Sequence, residues 1–113
     1  MEINIRDRDQ VRILELHGRL SLGGGAAAVR DDVRRELDDG QRMLLLDMSQ
    51  VDAIDSTGLG VLVSCLTSVR NRGGDLRLLQ PTPRVADVLV ITQADLLFAI
   101  FDDEDLAVQS FSI

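Results

Sequence analysis

Lysine is missing from the 113 residues, histidine and cysteine occur once each, and proline occurs twice. The missing lysine removes two phosphate chemistries. The glycine run at Gly23-Gly24-Gly25 has neither the lysine nor the hydroxyl residue of a Walker loop, and a response-regulator receiver would need a lysine beside its acid cluster. The lone Cys65 has no partner for an internal disulfide. It lies between Leu62 and Leu66 in a helical pattern, which reads as a small buried hydrophobe and not as a reactive thiol. The lone His17 is the only imidazole that could serve a serine nucleophile, and beside Leu16 on a strand it reads as structural. An excess of basic charge is also absent. Nineteen acidic residues against 12 basic ones give a formal net charge of −7, a field that repels phosphate backbones and anionic headgroups. Nucleic acid and membrane surface are therefore poor partners. Apolar runs such as Met43 to Leu46 fall far short of the roughly 20 residues of a membrane span. Met1 to Arg6 alternates like a strand and does not read as a signal peptide. A soluble, cytoplasmic protein without membrane insertion is expected.

Hydrophobic residues make up 45% of the chain, enough for one packed core and too many for disorder. No repeat, low-complexity tract or linker divides it, so residues 1–113 read as one domain. Ile3 and Ile5 alternate with polar neighbours, the Asp7 to Gln10 stretch is a turn signal, and Val11 to Leu16 follows as a second strand, which together predict a hairpin. After the glycine run, Ala26, Val29, Val33 and Leu37 recur at helical spacing, with Arg30, Asp31, Asp32, Arg34, Arg35 and Glu36 assigned to the outer faces. Gly40 ends that helix. Met43 to Leu46 reads as a central strand buried on both faces. Leu59, Leu62, Val63, Leu66 and Val69 form the clearest helical stripe, stopped by Gly73-Gly74. Leu76 to Leu79 is the next strand, a third helix runs from about Arg84 to Ile91 after Pro81 and Pro83, and Leu97 to Phe101 is a last strand. Asp102 to Phe111 reads as a short helix with an acidic first turn, which suits the positive end of its dipole. This order predicts an α/β protein, a mixed sheet of about five strands with about four helices and right-handed crossovers between parallel strands.

Asp47 to Gly60 runs from the end of the central strand into the start of the strongest helix, the place where open parallel sheets gather functional loops. Ser56 and Thr57 lie beside the N–H groups of a helix start, where the backbone donors and the macrodipole favour negative charge. Asp55, Ser56 or Thr57 would also serve as a plain N-cap. Gly58 and Gly60 go beyond what a cap requires. Each costs about 1 kcal/mol relative to Ala in a helix, so their presence predicts a turn kept bare for the approach of another protein or a phosphoryl group. Gly58-Leu59-Gly60-Val61-Leu62-Val63 is not a dinucleotide fingerprint, because Val63 stands where the third glycine belongs.

Asp55-Ser56-Thr57-Gly58-Leu59-Gly60 resembles the phosphorylation motif of bacterial anti-sigma factor antagonists of the sulfate transporter and anti-sigma factor antagonist (STAS) family. The resemblance takes in Gly18-Arg19-Leu20 after the second strand, the strand ending in Asp47, the Gly73-Gly74-Asp75 turn and the helix after Pro83. It implies a STAS-like fold and a non-enzymatic role with no catalytic residue, cofactor or metal of its own. The unphosphorylated antagonist would bind an anti-sigma factor that is also a serine kinase. Phosphorylation of Ser56, with Thr57 as the adjacent competitor, would end that binding, and a metal-dependent serine phosphatase would restore it. Ser21, Asp55, Ser56, Thr57, Gly58, Leu59 and Gly60 are the expected partner-binding residues. Many antagonists carry acidic or polar residues after the second strand, whereas this chain has Arg19-Leu20-Ser21-Leu22 and then three glycines. The alternative is a STAS module that is never phosphorylated and acts as a scaffold or accessory subunit, for example beside a transporter.

Overall fold

A computed structural model describes residues 1–112. β1 (Glu2–Arg8) and β2 (Val11–Leu20) form an antiparallel hairpin in which Arg8 faces Val11. Its two-residue turn, Asp9-Gln10, has positive φ at both positions, the geometry whose twist matches that of paired strands. α1 (Ala26–Asp38), β3 (Met43–Ile54), α2 (Ser56–Asn71), β4 (Asp75–Leu79), α3 (Pro83–Ile91), a 3₁₀ turn (Ala94–Leu96), β5 (Ile100–Phe101) and α4 (Glu104–Gln109) follow. The sheet order is β1-β2-β3-β4-β5, and every pair after the hairpin is parallel. Five strands and four helices in one mixed sheet match the architecture expected from the sequence.

Alternate residues of the strands go to opposite faces, as a period of two requires. Leu14, Leu16, Leu44, Leu46, Leu76 and Leu78 join Val29, Val33, Leu62, Leu66, Val85 and Leu89 in the main core under α1, α2 and α3. Ile13, Leu45 and Leu79 form a smaller core with Ala107 and Val108 of α4 on the other face. Ion pairs strap that small helix to the hairpin: Arg6 bonds Glu104, Arg8 bonds Glu104 at 2.9 Å and also Asp105, and Arg6 is braced within the hairpin by Glu15 at 2.8 Å. Glu104 belongs to the acidic first turn read from the sequence, so it serves both the dipole and the sheet.

Three local expectations change. The segment Asp47 to Ile54, read as following the end of the central strand, is part of that strand, because β2 runs on to Leu20 and supplies partners from Glu15↔Asp47 to Leu20↔Ile54. Two register shifts each insert one extra residue in β3. These bulges break the alternation that would have marked the strand. The last strand begins at Ile100 and not at Leu97, because Leu97 closes the 3₁₀ turn and Phe98 plugs the core. Glu36, assigned to the outer face of α1, is only 4% exposed. It lies on the Val29–Val33 stripe, and Arg12 of β2 neutralises it at 2.5 and 3.1 Å.

Candidate functional site

The C-terminal ends of β2 and β3 lie side by side, and the chain leaves each into a helix. Asp55, between β3 and α2, has extended backbone (φ −110°, ψ −176°) and caps α2: its Oδ1 accepts the Gly58 N–H at 2.8 Å. Its Oδ2 accepts the N–H of Leu22, in the β2–α1 loop, at 3.0 Å, and its own N–H donates to the Leu20 carbonyl at 3.3 Å. One carboxylate thus joins two segments more than thirty residues apart. The bonds from Gly58 and then Leu22 hold its pKa below the usual carboxylate value, because both stabilise the charged form.

Ser56 and Thr57 are exposed in the first turn of α2. Thr57 shares a groove with Ser21, Leu22, Ala27, Arg30 and Val61. Ser21, half-buried, also lines a neighbouring cleft with Arg19, Asp52, Asp55 and Arg84. Ser21 is thus brought beside both Asp55 and Thr57, while Ser56, between those two in the chain, is exposed at the start of α2. The two glycines separate in role. A Cβ on Gly60 would meet nothing within 4 Å, whereas a Cβ on Gly58 would sit 1.9 Å from the Leu20 carbonyl oxygen. Gly58 is buried and lets α2 close on β2, so its missing side chain answers an internal contact and not the approach of a partner. Leu59 is half-buried and packs against the main core.

Two features escaped the sequence reading. Leu22 is 77% exposed, an apolar side chain held out by the loop that Asp55 fastens. Its one visible signal was an isolated leucine before a glycine run, outside any period that would bury it. The second is Arg84, at the start of α3, which joins Arg19 in the cleft bordered by Asp52 and Asp55. The cleft beside Asp55 is thus lined by both signs of charge. His17 lies elsewhere, in a depression with Glu15, Asp47, Ser49 and Gln50, its Nε2 3.5 Å from Asn4 Nδ2. Cys65 is buried, and burial pushes its thiol up to about 11. Among the described residues no three His, Cys, Asp or Glu are grouped to hold a metal, and no helix is long and apolar enough to cross a membrane.

The STAS domain family model matches residues 2–107. A provisionally named anti-sigma factor antagonist of Thermotoga neapolitana is 44% identical over 66 residues, a stretch that takes in 58% of this chain and 58% of that protein. The similarly named BtrV of Bordetella bronchiseptica is 25% identical over 111 residues, 98% of this chain and 95% of its own. Among solved structures, the crystal structure of a provisionally assigned anti-sigma factor antagonist from Thermotoga maritima superposes with a TM-score of 0.90 at 30% identity, covering 98% of this chain and 95% of that one.

Proposed function

The chain belongs to the STAS domain family, and from that premise we propose that it is an anti-sigma factor antagonist switched by phosphorylation of Ser56. The carrying observation is the exposed Ser56 hydroxyl in the first turn of α2, beside a carboxylate that is already held by two backbone N–H groups. The unmodified protein binds an anti-sigma factor that is also a serine kinase, through the surface formed by the β2–α1 loop and the start of α2. Leu22 supplies an apolar contact there and Gly60 leaves the backbone approachable. The kinase transfers the γ-phosphoryl group of ATP: a bond forms between Ser56 Oγ and the γ-phosphorus, the bond to the β–γ bridging oxygen breaks, ADP leaves, and the hydroxyl proton passes to a base of the kinase. ATP and its metal belong to the kinase, and this chain supplies only the acceptor. Hydrolysis by a serine phosphatase of the metal-dependent class restores the binding form.

A phosphoserine adds about −1.5 to −2 charges. A unit like-charge contact at ~6 Å and an effective dielectric of ~20 costs about 3 kcal/mol, on the order of a hundredfold in affinity. The helix start tolerates that charge within this protein, whereas an acidic or close-packed partner surface rejects it. The test is the intact mass of the protein after incubation with ATP and its cognate serine kinase, for wild type, Ser56→Ala and Thr57→Ala. One addition of about 80 Da, the mass of a phosphoryl group, lost only in Ser56→Ala, is the expected result. No addition to any form, while the kinase modifies another antagonist, would overturn the switch.

A further inference from the structure

The Asp55 carboxylate has one oxygen for each of two duties. Oδ1 takes the Gly58 N–H of α2 and Oδ2 takes the Leu22 N–H of the β2–α1 loop. The remaining bonds of the loop stay within it or reach the end of β2: Gly24 N–H to Ser21 O at 3.0 Å, Ala26 N–H to Ser21 O at 3.3 Å and Gly25 N–H to Arg19 O at 2.8 Å. Gly23 adopts left-handed φ (+77°), with nothing within 4 Å of the position a Cβ would occupy. Residues 22–23 are thus tied to α2 through Asp55, and both are exposed at the surface.

We propose that Asp55 is a latch: phosphorylation of Ser56 draws its carboxylate away from the Leu22 N–H and lets go of the loop that presents Leu22. This deepens the reading above and rests on Ser56 as the phosphoacceptor. A phosphoryl group on the first residue of α2 seeks the same helix-start N–H donors that Asp55 now uses, and it repels the adjacent carboxylate. Arg19 and Arg84, in the cleft beside Asp55, give the displaced charges a place to turn. The switch then acts twice on the partner, by adding charge and by loosening an apolar contact. Asp55 is a positioning residue and touches no reacting atom.

The experiment places phosphoserine at position 56 during translation, so that no kinase is needed, and follows the amide of Leu22 by NMR in the full ¹⁵N-labelled chain. Phosphoserine is expected to raise the solvent exchange of the Leu22 amide roughly tenfold and to shift its proton upfield, as loss of a bond to a charged acceptor requires. Asp55→Ser retains a helix-capping oxygen but cannot span both donors. It should show the fast Leu22 amide without phosphate, and phosphoserine in that background should add less than about a twofold change. An unchanged Leu22 amide in the phosphoserine protein overturns the latch even if Ser56 remains the acceptor. Failure of the kinase to modify Ser56 overturns the switch and leaves this amide measurement standing by itself. Circular dichroism on each form confirms that the comparison is made on folded protein.

Discussion

Gly58 and Gly60 are two positions apart in one turn of α2, and their surroundings ask for opposite things. A methyl group on Gly58 would enter the Leu20 carbonyl oxygen at 1.9 Å, a backbone atom that cannot step aside. Gly58→Ala is therefore expected to destabilise the protein by about 3 kcal/mol, as forced overpacking does, whereas Gly60→Ala, open on all sides, should stabilise it by up to about 1 kcal/mol through helix propensity. Urea denaturation of the two variants decides this, and a stable Gly58→Ala would refute the close approach. If Gly60 is kept bare for a partner, Gly60→Ala should also weaken anti-sigma factor binding while raising stability. Leu22→Ser should leave the denaturation midpoint within about 0.5 kcal/mol of wild type, being a surface change, and lower partner affinity at least tenfold in a binding titration. Cys65 should resist thiol reagents at neutral pH until the protein unfolds, because its thiol is buried and pushed up to about 11. Labelling of the folded protein would contradict that burial.

At the scale of elements, charged residues decide how helices sit on the sheet. Glu36 of α1 is buried against Arg12 of β2, and Arg12 also meets Asp7 on β1. Removing the cation leaves an uncompensated buried carboxylate, so Arg12→Ala should cost about 3 kcal/mol, measured by thermal or urea unfolding. A loss below about 0.5 kcal/mol would show that water reaches Glu36. α4 is only six residues long, too short to be helical by itself. It depends on Ala107 and Val108 in the lower core, the arginines of the hairpin, and Arg77 stacked 4.4 Å from the Phe111 ring centre.

For the whole molecule, that carboxylate strapping sets the response to acid. Arg6 above all, then Arg8, holds Glu104 below its ordinary value of 4.5, and the Gly58 and Leu22 N–H groups hold Asp55 below 3.8. Both folded-state values are depressed, so the stability they contribute is fully present above the ordinary values and drains away as pH falls through the folded ones. The unfolding midpoint should change little from about pH 7 to 5 and then drop below about 4.5. Glu104→Gln should start lower at neutral pH and fall less steeply. An equal slope in wild type and Glu104→Gln would remove Glu104 from the account.

Much of this molecule was legible in one dimension, because periodicity is a local property. The stripe Leu62, Leu66, Val69 and the run Leu44-Leu45-Leu46 declare a packed helix and a strand buried on both faces before any partner is known, and Asp55-Ser56-Thr57 before an apolar stripe declares a helix start. The length of β3 was not legible, since its polar second half becomes strand only because β2 lies alongside with two bulges to accommodate it. Glu36 looked like a surface acid until Arg12, twenty-four positions away, came within 3.1 Å. Gly58 looked like an opening for a partner until the Leu20 carbonyl filled the space. Composition and spacing thus determined the number and kind of elements and the hydroxyls exposed at one helix start. Only the tertiary structure joined that start to the β2–α1 loop through Asp55, because a hydrogen bond across thirty-three positions depends on where two strand ends meet and leaves no periodic trace in the chain.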